Sequence, residues 1–297
     1  MKTNRIVLLL LAVMFSISAL FSQQTKSRII ENGGTGKYSA IMQSDASLPT
    51  HTIFRPADIS TFTKKHKLPL IVWGNGACFN SPWEHVNFLN EIASHGFMVI
   101  AIGIMPEENG EKMKDRSQAS QLTDAIDWAL AQNKNKNSVY FGKIDCSKIA
   151  VSGMSCGGLQ ALEVCGDPRI STLVVCNSGL FTNPAGSRSG MPQIGKEQLN
   201  KIHTPTLYLL GGPRDIAYNN GMDDYSRINH VPVFVGNMDV GHGGTYGQPH
   251  GGEFARVATA WFRWQLKNDR KAGKMFTGNP CKLSLDKVWT VQKKNMP

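Results

Sequence analysis

Ser155 and Cys156 stand side by side in AVSGMSCGGL, residues 150–159, and either side chain can serve as a nucleophile. The stretch Gly153-Met154-Ser155-Cys156-Gly157 has the spacing G-x-S-x-G, after an apolar run and before a helical pattern. In that setting the central residue occupies a tight strand-to-helix elbow, and the flanking glycines let neighbouring backbone pass without collision. Ser155 is central, so it is the candidate nucleophile even though a thiol is intrinsically stronger. Cys156 then contributes its backbone N–H to the hole that binds a developing oxyanion.

A serine hydroxyl needs a base to take its proton and an acid to hold that base in the right tautomer. In a site of this kind the order along the chain is serine, acid, histidine. TPTLYLLGGPRDIAY presents Asp215 just past one apolar run, and VPVFVGNMDVGHGGTY presents His242 in a glycine-rich loop past the next. Asp223, Asp224 and Asp239 are the alternative acids. His250, in GQPHGGEF, is the alternative base, but it directly precedes a helical pattern and reads better as a loop or cap residue. The remaining histidines (His51, His66, His85, His95, His203 and His230) fall at element edges. The second oxyanion donor is expected from GNGACF, which follows LPLIVW, with Ala77 and Cys78 as candidates. Two donors aimed at one oxygen about 3 Å away belong to close neighbours, which brings Cys78 and Cys156 within reach of a disulfide. The alternative is two buried free thiols.

The elements that must position these groups are strands predicted at 38–43, 51–55, 70–73, 97–102, 149–152, 172–176, 206–210 and 231–235. Helices are predicted at 83–94, 117–132, 157–165 and 253–267. Runs that are apolar throughout, such as LPLIVW and FMVIAI, suit parallel strands covered on both faces. The pattern predicts a three-layer α/β sandwich around a mixed, mostly parallel sheet. Ser155, Asp215 and His242 then lie at the carboxyl ends of strands, along one edge. NSGLFTNPAGSRSGMPQIG, within 176–206, is too polar and short for a large apolar lid. ENGGTGKYSA resembles a phosphate loop but has Glu31 and Tyr38 where Gly and Ser or Thr are required, and it reads as a flexible lead-in. With no repeat or interdomain linker, residues 23–297 are expected to form one domain.

Composition agrees with a globular chain: 297 residues, 41% hydrophobic and 18% charged. Residues 1–22 carry Lys2 and Arg5 ahead of an apolar stretch, with small residues before Gln23, the pattern of a cleaved secretory signal; a short membrane anchor is the alternative. No other run is long enough to span a bilayer, so no membrane association is expected after cleavage, and the destination is the periplasm or the medium. The formal net charge is +10, but Lys64, Lys65 and Lys67, Lys134 and Lys136, and Lys293 and Lys294 are scattered, which argues against nucleic-acid binding and leaves a general attraction to acidic polysaccharide. Six cysteines (Cys78, Cys146, Cys156, Cys165, Cys176, Cys281) in an exported chain favour disulfides. No C-x-x-C or paired Cys/His cluster occurs, so neither a metal nor an organic cofactor is expected.

In that order EIASHGFMVIAI, LTDAIDWALAQN, IAVSGMSCGG and LYLLGGPRDIAY resemble the α/β-hydrolase superfamily, and within it the secreted dienelactone-hydrolase-like and cutinase-like polyester hydrolases. The resemblance spans roughly 38–266 and implies carboxylic ester hydrolysis through an acyl-enzyme, with Ser155, His242 and Asp215 as nucleophile, base and acid. Polyester hydrolases of that group often carry Met after the nucleophile and an aromatic at the second oxyanion position; here Cys156 and Cys78 stand there. An open cleft would suit a bulky or polymer-borne ester, such as an acylated plant polysaccharide, with Phe79, Trp83, Phe181 and Tyr246 as candidate walls or, alternatively, core residues. A serine peptidase of the same fold and an inactive carbohydrate-binding protein are the rival readings.

Overall fold

In chain order the strands are β1 (Ser27–Ile29), β2 (Ala40–Gln43), β3 (His51–Pro56), β4 (Leu68–Gly74), β5 (Met98–Ile102), β6 (Ile144–Met154), β7 (Ile170–Cys176), β8 (Thr206–Leu210), β9 (Val233–Asn237) and β10 (Thr290–Lys294). The helices between them are α1 (Val86–Ser94), α2 (Ser120–Lys134), α3 (Cys156–Glu163), α4 (Tyr218–Arg227), α5 (Gly252–Lys267) and the short α6 (Arg270–Gly273). The structure, a computed structural model, describes residues 25–107, 115–184 and 190–297. The expected signal segment lies outside the described residues.

The strands form one sheet in the order β1-β2-β3-β5-β4-β6-β7-β8-β9-β10. The central run from β5 to β9 is parallel, while β1, β2, β3 and β10 pair antiparallel at the two sides. This is the mixed, mostly parallel sheet that the apolar runs predict. Side chains alternate across it: Leu70 and Val72 of β4 join one apolar cluster with α2 and α3, whereas Ile71 and Trp73 join a second with α1 and α5. Burial on both faces explains why these strands show no polar alternation.

Four elements escaped the sequence reading: β1, β10, α4 and the short α6. In α4 Gly221, Asp224 and Tyr225 are buried and Tyr218 and Met222 pack partly buried against the core, a stripe in which a glycine and an aspartate take core-facing places and mask the apolar periodicity. Polar contacts hold the helix as well: Asp224 accepts from Lys196 Nζ (2.7 Å), the Leu180 N–H (2.9 Å) and the Tyr208 hydroxyl (3.2 Å). Burial pushes the Asp224 carboxyl up to about 6 despite the nearby Lys196. The expected flexible lead-in is corrected as well. Thr35 N–H donates to Glu91 Oε2 (2.8 Å), Gly36 N–H to Ser94 Oγ (2.9 Å) and Tyr38 N–H to the Ser94 carbonyl (2.9 Å), so the segment is strapped along α1. Its glycines reflect close packing, which composition cannot tell from flexibility.

Cys165, Cys176 and Cys281 are buried free thiols and Cys146 is half-buried. Desolvation raises Cys165 to about 11 and Cys176 to about 12, which leaves little thiolate for chemistry. Among the described residues no helix is long and apolar enough to cross a membrane, and no His/Cys/Asp/Glu group has a metal-holding arrangement.

Candidate active site

Ser155 sits between the last residue of β6 and the first of α3, with φ 53° and ψ −117°. Such a conformation costs a non-glycine residue on the order of 1–3 kcal/mol and persists only where the surroundings enforce it. Here the Ser155 N–H donates to the Cys176 carbonyl (2.9 Å) and Ser178 Oγ donates to the Ser155 carbonyl (2.7 Å). A Cβ on Gly153 would lie 2.2 Å from the Gly157 carbonyl oxygen, and one on Gly157 would lie 2.1 Å from that of Gly74. The two glycines therefore let β4, β6 and α3 close together around the elbow.

His242 bridges the other two residues, its Nε2 2.9 Å from Ser155 Oγ and its Nδ1 2.6 Å from Asp215 Oδ1. Asp215 ends the loop after β8, and His242 lies on the loop after β9, so the sheet order delivers both beside the elbow. The Asp215 side chain is fully buried, while 27% of that of His242 is exposed. Oδ1 also accepts the Ala217 N–H (2.9 Å), and Oδ2 accepts the Gly211 N–H (3.0 Å) and Asn177 Nδ2 (2.8 Å). Burial pushes this carboxyl up, but the His242 ring and these donors outweigh it and leave it below the usual carboxylate range. An ionised Asp215 is acceptor only, so Nδ1 carries the proton and Nε2 offers its lone pair to the Ser155 hydroxyl.

The alternatives are committed elsewhere. Asp239 pairs with Arg214 (3.0 Å), Asp223 with Arg227 (3.0 Å) and Asp224 with Lys196. His250 lies just before α5, its Nδ1 3.5 Å from Glu31 Oε2 and 3.7 Å from Glu91 Oε2.

Of the two candidates for the second oxyanion donor, the hydrogen bonds separate Ala77 from Cys78. The Cys78 N–H is spent on the Asn75 carbonyl (3.2 Å). The Gly76 carbonyl accepts the Phe79 N–H (3.1 Å), and in a trans peptide the Ala77 N–H points the opposite way. Ala77 lines the same cleft as Ser155 and Cys156. The Cys156 N–H opens α3, where the first N–H groups have no intrahelical acceptor. Both Ala77 and Cys78 have φ 53°, and the strained loop is tied from behind: Ser117 donates to the Cys78 carbonyl through N–H (2.8 Å) and Oγ (3.0 Å), and Arg116 Nη1 donates to the Ala77 carbonyl (3.0 Å).

Above the elbow opens a cleft of about 720 Å³, whose apolar wall includes Phe79, Met154, Leu159, Phe181, Met191 and Ile216, with Glu84 and Asn220 as polar members. Phe79 and Phe181, two of the four candidate walls, line this cleft. Trp83 is 43% exposed but lies outside this lining. Tyr246 borders the cleft, yet only 3% of it is exposed and its hydroxyl turns inward to Asn177 Oδ1. It is therefore chiefly a core residue.

Residues 40–177 match the model of the family described as PETase, PET hydrolase-like. The chain has the α/β-hydrolase fold. No curated protein matches it significantly. The matched span runs from β2 to the residue after β7, so the elbow and the GNGACF loop fall inside it, and Asp215 and His242 fall beyond it.

Cys78 and Cys156 form a disulfide with their Cα atoms 5.0 Å apart, joining the elbow to the GNGACF loop across 78 residues of chain. By chain entropy alone, closing a loop of that length stabilises the fold by roughly 4–5 kcal/mol. The double replacement Cys78→Ala/Cys156→Ala is therefore expected to lower the unfolding free energy by several kcal/mol, read from the urea midpoint, and to reduce ester turnover about tenfold as the donor loop loosens. A midpoint and turnover both unchanged would detach the disulfide from stability and site alike.

Sequence reasoning missed Ile216, 79% exposed on the rim immediately after Asp215, and Asn177. The available signal for Asn177 was a polar residue directly after the β7 run TLVVC, at the same edge as the other site residues.

Proposed function

We propose that this α/β-hydrolase is a secreted serine esterase that cleaves a bulky or polymer-borne carboxylic ester through an acyl-enzyme. The observation that carries the reading is His242 held between Ser155 Oγ at 2.9 Å and Asp215 Oδ1 at 2.6 Å. In this reading Ser155 Oγ attacks the ester carbonyl carbon while His242 Nε2 takes its proton. The carbonyl oxygen becomes an oxyanion between the N–H groups of Cys156 and Ala77, each worth about 2.7–4 kcal/mol in the transition state. As the tetrahedral intermediate collapses, His242 returns the proton to the departing alkoxide and the alcohol leaves. Water then attacks the acyl-Ser155 carbonyl with His242 again as base, and the second collapse releases the acid and restores the hydroxyl. Asp215 holds the imidazole in its working tautomer and stabilises the imidazolium.

The open cleft and its apolar wall support a large substrate, and the match to PET hydrolase-like proteins supports an ester over an amide. The leader pattern of residues 1–22 and the Cys78–Cys156 disulfide support export, since reducing compartments rarely preserve such bonds. Turnover across short acyl, feruloyl, glucuronoyl and polyester substrates, set against a peptide anilide, tests the class, and mass mapping after fluorophosphonate treatment tests the nucleophile. Ester turnover with the label on Ser155 is expected. Preferential anilide cleavage would favour the peptidase, and a folded protein that takes no label would favour a non-catalytic binding role.

A further inference from the structure

We propose that Asn177, anchored by Tyr246, is a positioning residue that ties the acid to the loop carrying the base; this rests on the serine-esterase reading. Asn177 follows β7, is fully buried, and has its N–H bonded to the Leu209 carbonyl at the end of β8 (2.7 Å). The two hydrogens of its amide reach different loops. Nδ2 donates to Asp215 Oδ2 (2.8 Å), after β8, and to the carbonyl of Gly241 (3.3 Å), the residue before His242 on the loop after β9. One side chain thus spans the acid and the backbone that aims the imidazole.

Asp215 Oδ2 and the Gly241 carbonyl, which can only accept, decide which way that amide faces, and Tyr246 anchors its other end. Its hydroxyl donates to Asn177 Oδ1. A flipped amide would set Oδ1 against Asp215 Oδ2, two acceptors with no proton between them. The hydroxyl is itself held in place because the Tyr246 ring packs edge-on against His85, Phe88 and Phe254, with centroids 5.0, 5.2 and 5.5 Å away. The same hydroxyl meets the Cys176 thiol, so the titratable groups around the amide are Asp215, His242, Tyr246 and Cys176. Tyr246 lies four residues past His242, and its anchorage fixes the far side of the same loop.

The test uses two variants and their combination. Asn177 has φ 43°, so Asn177→Gly deletes the amide without adding backbone strain, and Tyr246→Phe removes only the hydroxyl and keeps the ring packing. Asn177→Gly is expected to lower kcat about 10- to 100-fold with KM within about twofold, and to slow fluorophosphonate labelling of Ser155 by the same factor. The acid limb of its kcat/KM profile should move to higher pH, because a carboxylate that has lost a donor holds the imidazolium more tightly. Tyr246→Phe should cost about three- to tenfold in the same direction, and the double variant should be no worse than Asn177→Gly alone, since the hydroxyl acts through the amide. Additive losses, or a raised KM with an unmoved acid limb, would overturn the relay and leave both residues as packing. Wild-type protein that takes no label on Ser155 would instead remove the esterase reading on which the relay depends.

Discussion

Replacing Ser155 with Ala is expected to lower ester turnover by about 10⁴- to 10⁶-fold and to abolish fluorophosphonate labelling. Alanine meets the same backbone strain at φ 53° that serine does, and the bonds that hold the elbow involve main-chain atoms of residue 155, so the fold should survive. What disappears is the oxygen 2.9 Å from His242 Nε2. Cys156 offers no substitute, because its sulfur is bonded to Cys78. Steady-state kinetics on a p-nitrophenyl ester and mass mapping of the label read the outcome. A variant that keeps a tenth of wild-type turnover would mean that the nucleophile lies elsewhere.

The second large effect is expected at Asp215, where Asn should cost about 10⁴ in kcat while leaving KM nearly unchanged. An amide N–H in place of Oδ1 would meet His242 Nδ1 as a donor and force that nitrogen to accept. The ring proton would then sit on Nε2, facing the Ser155 hydroxyl, and the base would be lost. The pH dependence follows from the same contacts. The Asp215 carboxyl is held below its usual range, so it stays charged, and able to orient the imidazole, to lower pH than an ordinary carboxylate. A carboxyl with a depressed folded pKa contributes stability that is present above its unfolded value and is lost as pH falls through the folded one. This contribution should therefore persist through the usual carboxylate range and fade only below it, which unfolding measurements between pH 7 and about pH 3 would check, set beside Asp215→Asn. Turnover of Asp215→Asn within tenfold of wild type would redirect attention to another acid, Asp239 being the nearest in sequence to His242.

Hydrophobic patterning located the parallel strands because each run is buried on both faces, and that property is carried by consecutive residues such as LPLIVW. It also located the turns at strand ends where Ser155, Asp215 and His242 sit, and the structure brings those three within hydrogen-bonding distance. Helix α4 escaped the same reading, since its core-facing stripe of Tyr218, Met222 and Tyr225 is interrupted by Gly221 and by Asp224, which polar partners hold. The strapped lead-in escaped it too, because glycines that serve close packing look like glycines that serve flexibility.

By itself, then, the sequence determined the sheet class, the elbow and the short set of acids and bases near it, all of which depend on residue type and local spacing. Only the tertiary structure decided that the Cys78 N–H is already spent while Ala77 faces the cleft, that Tyr246 turns its hydroxyl inward, and that Asn177 joins two loops of distant sequence. The physical reason is that a hydrogen-bonding group is available only if no neighbour has claimed it, and neighbours across a sheet are set by strand order.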